Sequence, residues 1–247
     1  MPNPFFDPGR GRAAQVRALF GRIALRYDLI NDLQSLGLHR RWKKRVIELA
    51  QPQPGQSALD LCCGTGDLAL GLCRRGLRVI GLDFSEQMLA VAESRKSRMR
   101  SAATIPADGL YLVRGDAQNL PFRENSFDIV TVGYGLRNLS NWETGLCEMR
   151  RVAKPGGRLL VLDFGKPRNP VWSAFYMGYL RAFVPCLGRL FCGNAAAYAY
   201  ILESLRHYPA QEGVAAKMRQ LRLEQVGVVN LLGGAMSINY GQKCTDY

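Results

Sequence analysis

The chain has 247 residues and a mass of 27.5 kDa, with 47% hydrophobic and 21% charged residues, enough for one α/β domain with a substantial core and a modest insertion. Its most apolar region, Val171 to Leu202, is broken by Arg181, Pro185, Gly188, Arg189 and Gly193, which excludes the ~20-residue apolar run that crosses a bilayer. Lys and Arg number 33 against 20 Asp and Glu, a formal charge of +13; so strong a bias selects an anionic partner, nucleic acid or an acidic membrane surface. Seven cysteines and a start, Met1-Pro2-Asn3-Pro4-Phe5-Phe6, without basic or apolar signal regions predict a reduced, cytoplasmic location. Cys62 and Cys63 are adjacent, match no zinc spacing, and are read as small residues packed under a glycine turn, with no metal site expected.

In chain order, Val16, Leu19, Phe20, Ile23, Tyr27 and Ile30 fall at helical spacing, with Arg17, Arg22 and Arg26 on the other side. A second basic helix is predicted around Leu38 to Leu49, and Pro52, Pro54 and Gly55 end this N-terminal arm. Strands are predicted at Ser57–Leu61, Arg78–Asp83, Leu110–Arg114, Phe127–Val132 and Arg158–Phe164. Helices are placed at Leu68–Arg75, Ser85–Arg98, capped by Ser85, and Trp142–Val152. The alternation implies a doubly wound, mostly parallel sheet with right-handed crossovers. After Pro167 come aromatic-rich helices over Val171–Tyr200 and a further helix over Gln211–Glu224. Strands at Val226–Leu232 and Ala235–Tyr240, joined at Gly233-Gly234, form an antiparallel C-terminal edge hairpin and bring the sheet to seven strands. The organisation expected is one domain: an arm or lid at 1–54, a cofactor-binding core at 55–167, a helical substrate-binding insertion at 168–225 and the hairpin at 226–247. The run from Arg95 to Arg100 is read as a solvated helix end.

Ligands of such sheets sit beyond the carboxyl ends of the strands, where Asp60, Asp83, Asp116 and Gly133 lie. Gly64-Thr65-Gly66-Asp67-Leu68-Ala69 satisfies the dinucleotide fingerprint G-x-G-x-x-A, so two cofactors must be separated. A dinucleotide puts its pyrophosphate at the following helix N-terminus, where Asp60 and Asp67 would repel it by about 4 kcal/mol per pair at ~4 Å and an effective dielectric of ~20. S-adenosylmethionine has no phosphate and carries an ammonium and a sulfonium. Asp60 can accept from the ammonium, Gly64 and Gly66 let the backbone approach, and Asp83, followed by Phe84, can accept from the ribose hydroxyls. Asp116 is placed to accept from the adenine amine. The rim therefore predicts S-adenosylmethionine.

The chain resembles the quinone-biosynthesis C-methyltransferases, which methylate demethylmenaquinol and related prenylated quinol rings. The resemblance spans nearly the whole chain. It is carried by Arg26-Tyr27-Asp28-Leu29-Ile30-Asn31-Asp32, His39-Arg40-Arg41-Trp42-Lys43, the glycine turn, Asp116 to Phe122, Gly135-Leu136-Arg137-Asn138, Lys154-Pro155-Gly156-Gly157, Asp163 to Pro167, Glu203-Ser204-Leu205-Arg206 and Asn230-Leu231-Leu232-Gly233-Gly234. It implies a Rossmann-like methyltransferase fold and contacts to S-adenosylmethionine from Thr65, Asp83, Asp116 and Ala117. Many members carry serine where this chain has Gly133, so one side-chain contact to the cofactor is missing here.

The resemblance also implies a reaction: methylation of a ring carbon of a reduced, prenylated quinol, with demethylmenaquinol the first choice and phylloquinone or ubiquinone precursors as alternatives. Arg137 would stabilise the developing phenolate or orient a water, Asn138 fix the ring hydroxyl, and Tyr27 reach the second hydroxyl from the arm. Asp163 and His207 are further candidates for the proton. Trp172, Phe175, Tyr176, Tyr179, Phe183 and Phe191 are expected to line a groove for the tail, and the basic arm to face anionic lipid at the membrane periphery. A nucleic-acid partner is not expected, and a homo-oligomer is left open. The competing readings are an RNA methyltransferase, prompted by the charge, a non-catalytic S-adenosylmethionine-binding scaffold and, last, an NAD-dependent oxidoreductase.

Overall fold

The computed structural model describes residues 11–106, 108–192 and 196–245, with no side chains described at 13 and 185–201. The arm folds as α1 (Arg12–Ile23), α2 (Tyr27–Ser35) and α3 (Leu38–Ala50). Leu36 and Gly37 take φ of 50° and 75°; this left-handed pair stops α2 and turns the chain into α3. The core then alternates β1 (Ser57–Leu61), α4 (Asp67–Cys73), β2 (Arg78–Asp83), α5 (Glu86–Ser101), β3 (Leu110–Arg114), β4 (Phe127–Gly133), α6 (Trp142–Val152) and β5 (Ala153–Phe164). Helices α7 (Pro170–Cys192), α8 (Ala196–His207) and α9 (Ala210–Gln220) precede β6 (Leu223–Leu231) and β7 (Met236–Lys243).

The seven strands order as β3-β2-β1-β4-β5-β7-β6. The first five are parallel, and β7 runs antiparallel to both β5 and β6. The strand order reverses between β1 and β4, and at that switch point the carboxyl ends part to leave a crevice. Side-chain alternation divides the core between the two faces. Leu59, Leu61, Leu159 and Val161 pack with α1, α6 and α9, while Ala58, Leu160 and Leu162 pack with α3 and α4. Both faces are covered, so β1 and β4 are buried along nearly their whole length.

Several boundaries differ from the expectation, among them the break of the Val16–Ile30 helical stretch at Ala24–Arg26, and three have a tertiary reason. β5 begins at Ala153 rather than Arg158, because Ala153 already pairs with Phe127 and a register shift absorbs the intervening Lys154-Pro155-Gly156-Gly157. α9 ends at Gln220 because Leu223 and Glu224 pair with Lys243 and Gln242. The β6–β7 connection is a 3₁₀ turn, Leu232–Gly234, with positive φ at all three residues. β7 lies inside the sheet and β6 forms the edge. Ser85 caps α5 as expected, its hydroxyl accepting from the Met88 amide at 3.4 Å.

Leu59 is fully buried at the centre of the sheet. Leu59→Ala should cost about 2–5 kcal/mol, read as a lower urea midpoint with unchanged slope.

Candidate active site

The rim is organised by two buried carboxylates. Asp83 closes β2, and its two oxygens accept from the Gly64 amide and the Ser85 amide, each at 2.8 Å. Burial pushes its carboxyl up, opposed by these backbone N–H groups. Each oxygen keeps a second lone pair for a ligand hydroxyl. Asp60 closes β1; one oxygen accepts from the Thr131 hydroxyl at 2.7 Å and the other from the Ala69 amide at 3.1 Å. Between them Gly64 and Gly66 adopt φ of 55° and 86°, conformations that glycine enters without strain.

Around Asp83 opens a crevice of about 130 Å³ whose walls include Gly64, Phe84, Asp116, Ala117, Gly133 and Asn138. Its roof is α1, through Val16, Arg17 and Phe20, with the Arg17 guanidinium 5.8 Å from the Phe84 ring centre. Asp116 stands at the margin, one oxygen accepting from the Gln118 amide at 2.9 Å. A smaller hollow of about 20 Å³ adjoins the crevice and is lined by Lys43, Asp60, Thr65 and Asp67. Tyr27, Gly64, Gly133 and Tyr134 line both. Gly66 lines neither; a Cβ there would stand 3.3 Å from the Ala92 methyl of α5, so this glycine serves close helix packing.

Asp67, offered above as a charge that repels phosphate, is not free to do so. Lys43 and Arg95 both bind its carboxylate. Burial opposes its ionisation, yet the two cations outweigh burial and hold it at about 2. Arg95 also binds Asp28 at 3.0 Å and the Thr65 carbonyl and hydroxyl at 3.1 Å, and Thr65 donates to Asp28 at 2.8 Å. Arg95 is thus a partly buried tie between α5, the glycine turn and the arm, not part of a solvated helix end. Repulsion of a pyrophosphate rests on Asp60 and Asp83.

On the other side of Tyr27 and Tyr134 lies a much larger cavity, about 710 Å³, almost wholly apolar. Trp172, Phe175, Tyr176, Tyr179 and Phe183 of α7 line it as expected; the side chain of Phe191 lies outside the described residues. The polar tips of these rings are tied to backbone: Trp172 to the Leu232 carbonyl, Tyr176 to Ala235 and Tyr179 to Gln34. Their faces are left to the cavity.

Arg137 is also on this wall. It is 5% exposed and pairs with Asp163, 2% exposed, at 2.7 Å, not with a surface acid. Its guanidinium lies 4.5 Å from the centre of the Phe164 ring. Asp163 therefore orients Arg137. Asn138 lines the cofactor crevice rather than the large cavity. His207 is exposed, its ring bonded to the Glu203 carbonyl, and lines neither space.

Tyr134 was not singled out in the sequence. It takes φ of 61°, costing about 1–2 kcal/mol for a non-glycine residue. Its carbonyl accepts from both Arg137 Nη1 and Asn138 Nδ2 at 2.9 Å, so the strained turn aims the two side chains. Its hydroxyl is buried and without a hydrogen-bond partner among the described residues. Only the left-handed backbone, invisible in a Gly-Tyr-Gly string, marks it. Cys62 and Cys63 pack beneath the turn, against Gly135 and Gly81 respectively; burial pushes both thiols well up, as suits packing residues.

A doubly wound sheet of this order, with acids rather than phosphate donors at its rim, defines an S-adenosylmethionine-dependent methyltransferase. The fold is shared with a possible histamine N-methyltransferase from Thermotoga maritima (TM-score 0.62, 20% identity, 92% of this chain and 98% of that one). It is shared too with magnesium protoporphyrin IX methyltransferase from Synechocystis with bound S-adenosylhomocysteine (TM-score 0.58, 17% identity, 83% of each). The chain belongs to the ubiE/COQ5 methyltransferase family, which it matches over residues 10–243. Similar proteins include the demethylmenaquinone methyltransferase of Desulfitobacterium hafniense, 40% identical over 95% of this chain and 92% of that protein. The ubiquinone/menaquinone biosynthesis C-methyltransferase UbiE of Ectopseudomonas mendocina is 39% identical over 96% and 91%.

Burial raises the Asp60 carboxyl to about 7, against the Thr131 and Ala69 hydrogen bonds and Lys43. Below about pH 4 the group is protonated folded and unfolded; as pH climbs through 7 the folded protein bears an ionised, buried carboxylate. The stability lost over that interval is on the order of 4 kcal/mol. Asp60→Asn should therefore melt higher than the parent by roughly 5–15 °C at pH 8, with the gap closing toward pH 4, while binding S-adenosylhomocysteine more weakly. Parallel melting curves at the two pH values check this.

Proposed function

We propose that this chain transfers the methyl group of S-adenosylmethionine to a ring carbon of a prenylated quinol, with demethylmenaquinol the first candidate. The observation that carries the reading is the junction at Tyr27 and Tyr134, where a crevice edged by Asp83 and Asp116 and suited to the nucleoside meets a deep apolar cavity suited to a ring with an isoprenoid tail. A polynucleotide acceptor fits this cavity poorly, because its walls offer aromatic faces where phosphates need cations. The relatives' names point to the same chemistry.

The residues present suit the cofactor. Asp60 would take the ammonium, Asp83 the ribose hydroxyls and Asp116 the adenine amine, with Phe84 and Ala117 closing on the nucleoside. The bound cofactor supplies an electrophilic methyl on sulfur. On the acceptor side, Arg137, held by Asp163 and by the Tyr134 carbonyl, favours loss of the proton from the quinol hydroxyl by stabilising the oxyanion. The electron pair released into the ring makes the neighbouring carbon nucleophilic. That carbon would take the methyl group the bound cofactor supplies, leaving S-adenosylhomocysteine, and the ring carbon's own proton would pass to solvent as aromaticity returns. Tyr27 would hold the second hydroxyl, and Asn138 would act from the cofactor side. Arg137 is too basic to take the proton itself.

The arm, 1–54, acts in this reading as a lid. Arg12 donates to the Arg137 carbonyl and Asp28 receives Arg95, so α1 and α2 rest on the two catalytic spaces. The crevice under α1 is smaller than the ~300 Å³ at the low end of small-molecule sites, and cofactor entry requires α1 to swing outward. The 168–225 segment provides the tail groove through α7.

The mouth of the cavity supports access from a bilayer. Leu36 (89% exposed), Phe175 (69%), Phe183 and Leu232 line it and stand proud of the surface, Val171 is exposed on the same helix as Phe175 and Phe183, and Leu25 is exposed in the turn between α1 and α2. Exposed Arg22, Arg41, Lys44 and Arg181 flank them in sequence, a combination that suits an anionic lipid surface. No helix among the described residues is long and apolar enough to cross a membrane.

With labelled S-adenosylmethionine and reduced, prenylated quinols as acceptors, methyl transfer to naphthoquinol rings is expected, and its absence for every quinol tested would reject the reading. Arg137→Ala should lower turnover about 100-fold with S-adenosylhomocysteine affinity kept within threefold, whereas Asp83→Ala should abolish binding. Flotation with vesicles should show retention on anionic but not zwitterionic lipid, reduced when Phe175 and Phe183 are both changed to Ser.

A further inference from the structure

The small hollow beside the cofactor crevice is lined by one carboxylate awaiting a cation and by one lysine. Asp60 is that carboxylate. Lys43 reaches the same hollow from α3, its side chain only 12% exposed. Its ammonium donates to Asp67 Oδ2 at 2.5 Å and lies 5.8 Å from the centre of the Tyr134 ring. An ammonium has three N–H donors, and Asp67 is already held by Arg95 as well. Lys43 is therefore more than Asp67 needs.

The amino-acid end of S-adenosylmethionine is a zwitterion. Its ammonium requires an acceptor and its carboxylate a donor, both at one end of the crevice. Four of the donors near the glycine turn are committed within the protein, and the Tyr134 hydroxyl at the same hollow is neutral. The Gly64 amide serves Asp83, the Gly66 amide serves the Cys63 carbonyl at 2.9 Å, the Ala69 amide serves Asp60, and the Thr65 hydroxyl serves Asp28. Arg95 is spread over Asp28, Thr65 and Asp67. Lys43 has donors to spare and borders the hollow that holds Asp60.

We infer that Lys43 binds the α-carboxylate of the cofactor and, with Asp60, forms a site for its amino-acid zwitterion. The inference rests on S-adenosylmethionine being the cofactor. It gives the long, basic α3 a function at the site: the helix carries a buried cation across to the glycine turn. Charge balance agrees. Asp28, Asp60 and Asp67 face Lys43 and Arg95, leaving one negative charge when all are ionised. The cofactor, with ammonium, sulfonium and carboxylate, brings one net positive charge.

The test is titration calorimetry on the full chain with three ligands. S-adenosylhomocysteine has the whole zwitterion, its decarboxylated analogue keeps only the ammonium, and 5′-deoxy-5′-methylthioadenosine lacks both. The parent protein should bind S-adenosylhomocysteine about 10–100-fold more tightly than the decarboxylated analogue, the range of a hydrogen bond to a charged group. Lys43→Met should erase most of that preference while leaving affinity for methylthioadenosine within about twofold, and Lys43→Arg should restore part of it. Equal affinity of the parent for the first two ligands overturns the proposal without any variant. So does a Lys43→Met protein that loses all three ligands in proportion, which is the signature of a purely structural tie to Asp67. Failure of every ligand to bind the parent would instead remove the cofactor assignment on which the inference stands.

Discussion

The site depends on a carboxylate that the protein binds before any ligand does. Asp83 receives the amides of Gly64 and Ser85, so the end of β2 grips the turn after β1 and the first turn before α5. Two backbone hydrogen bonds to one buried acid give the crevice its shape, and in the proposed reading a ribose would meet its floor with little further ordering. Preorganisation of this kind matters for a reaction whose catalysis is mostly positioning. In the proposed reaction a methyl group would pass between two held atoms, with no bond to the protein.

The same logic explains why the arm and the core are tied by ions and the acceptor cavity by aromatic rings. Around the glycine turn, Asp28, Asp67, Lys43 and Arg95 are partly or largely buried and satisfy one another. Such a cluster adds little net stability, since desolvation offsets most of the attraction. It does specify where α2 and α3 sit. In the large cavity the ring tips are anchored to carbonyls of Gln34, Leu232 and Ala235, which fixes the aromatic faces and leaves apolar area for a tail. Polar groups set the geometry in both places.

Much of this was legible in the amino-acid string, and the rest was hidden for identifiable reasons. β1, β2 and β3 have the predicted ends because each is a short apolar run bounded by turn residues. The start of β5 was missed because a bulge at Pro155-Gly156-Gly157 looks like a loop. The acids at the rim were found because strand ends in a parallel sheet share one edge. Arg95 was read as solvated and Lys43 as part of a basic arm facing lipid, because their burial is decided by Asp67 and Asp28, which lie 24 to 67 residues away in sequence. Arg137 was found through its motif, but its partner Asp163 is 26 residues on and nothing local joins them. Tyr134 was missed because backbone strain leaves no compositional trace.

The placement of β7 has a bearing on biosynthesis. It follows β6 in sequence and fills the gap between β5 and β6. Until its residues emerge from the ribosome, β6 has no sheet neighbour and β5 shows an open flank. The nascent protein must keep one bare sheet edge, with Leu223 to Leu231 waiting beside it, until β7 has been made. Joining β5 to β7 closes contacts of long sequence separation, the slow class, and is the stage at which a chaperone has most to shield.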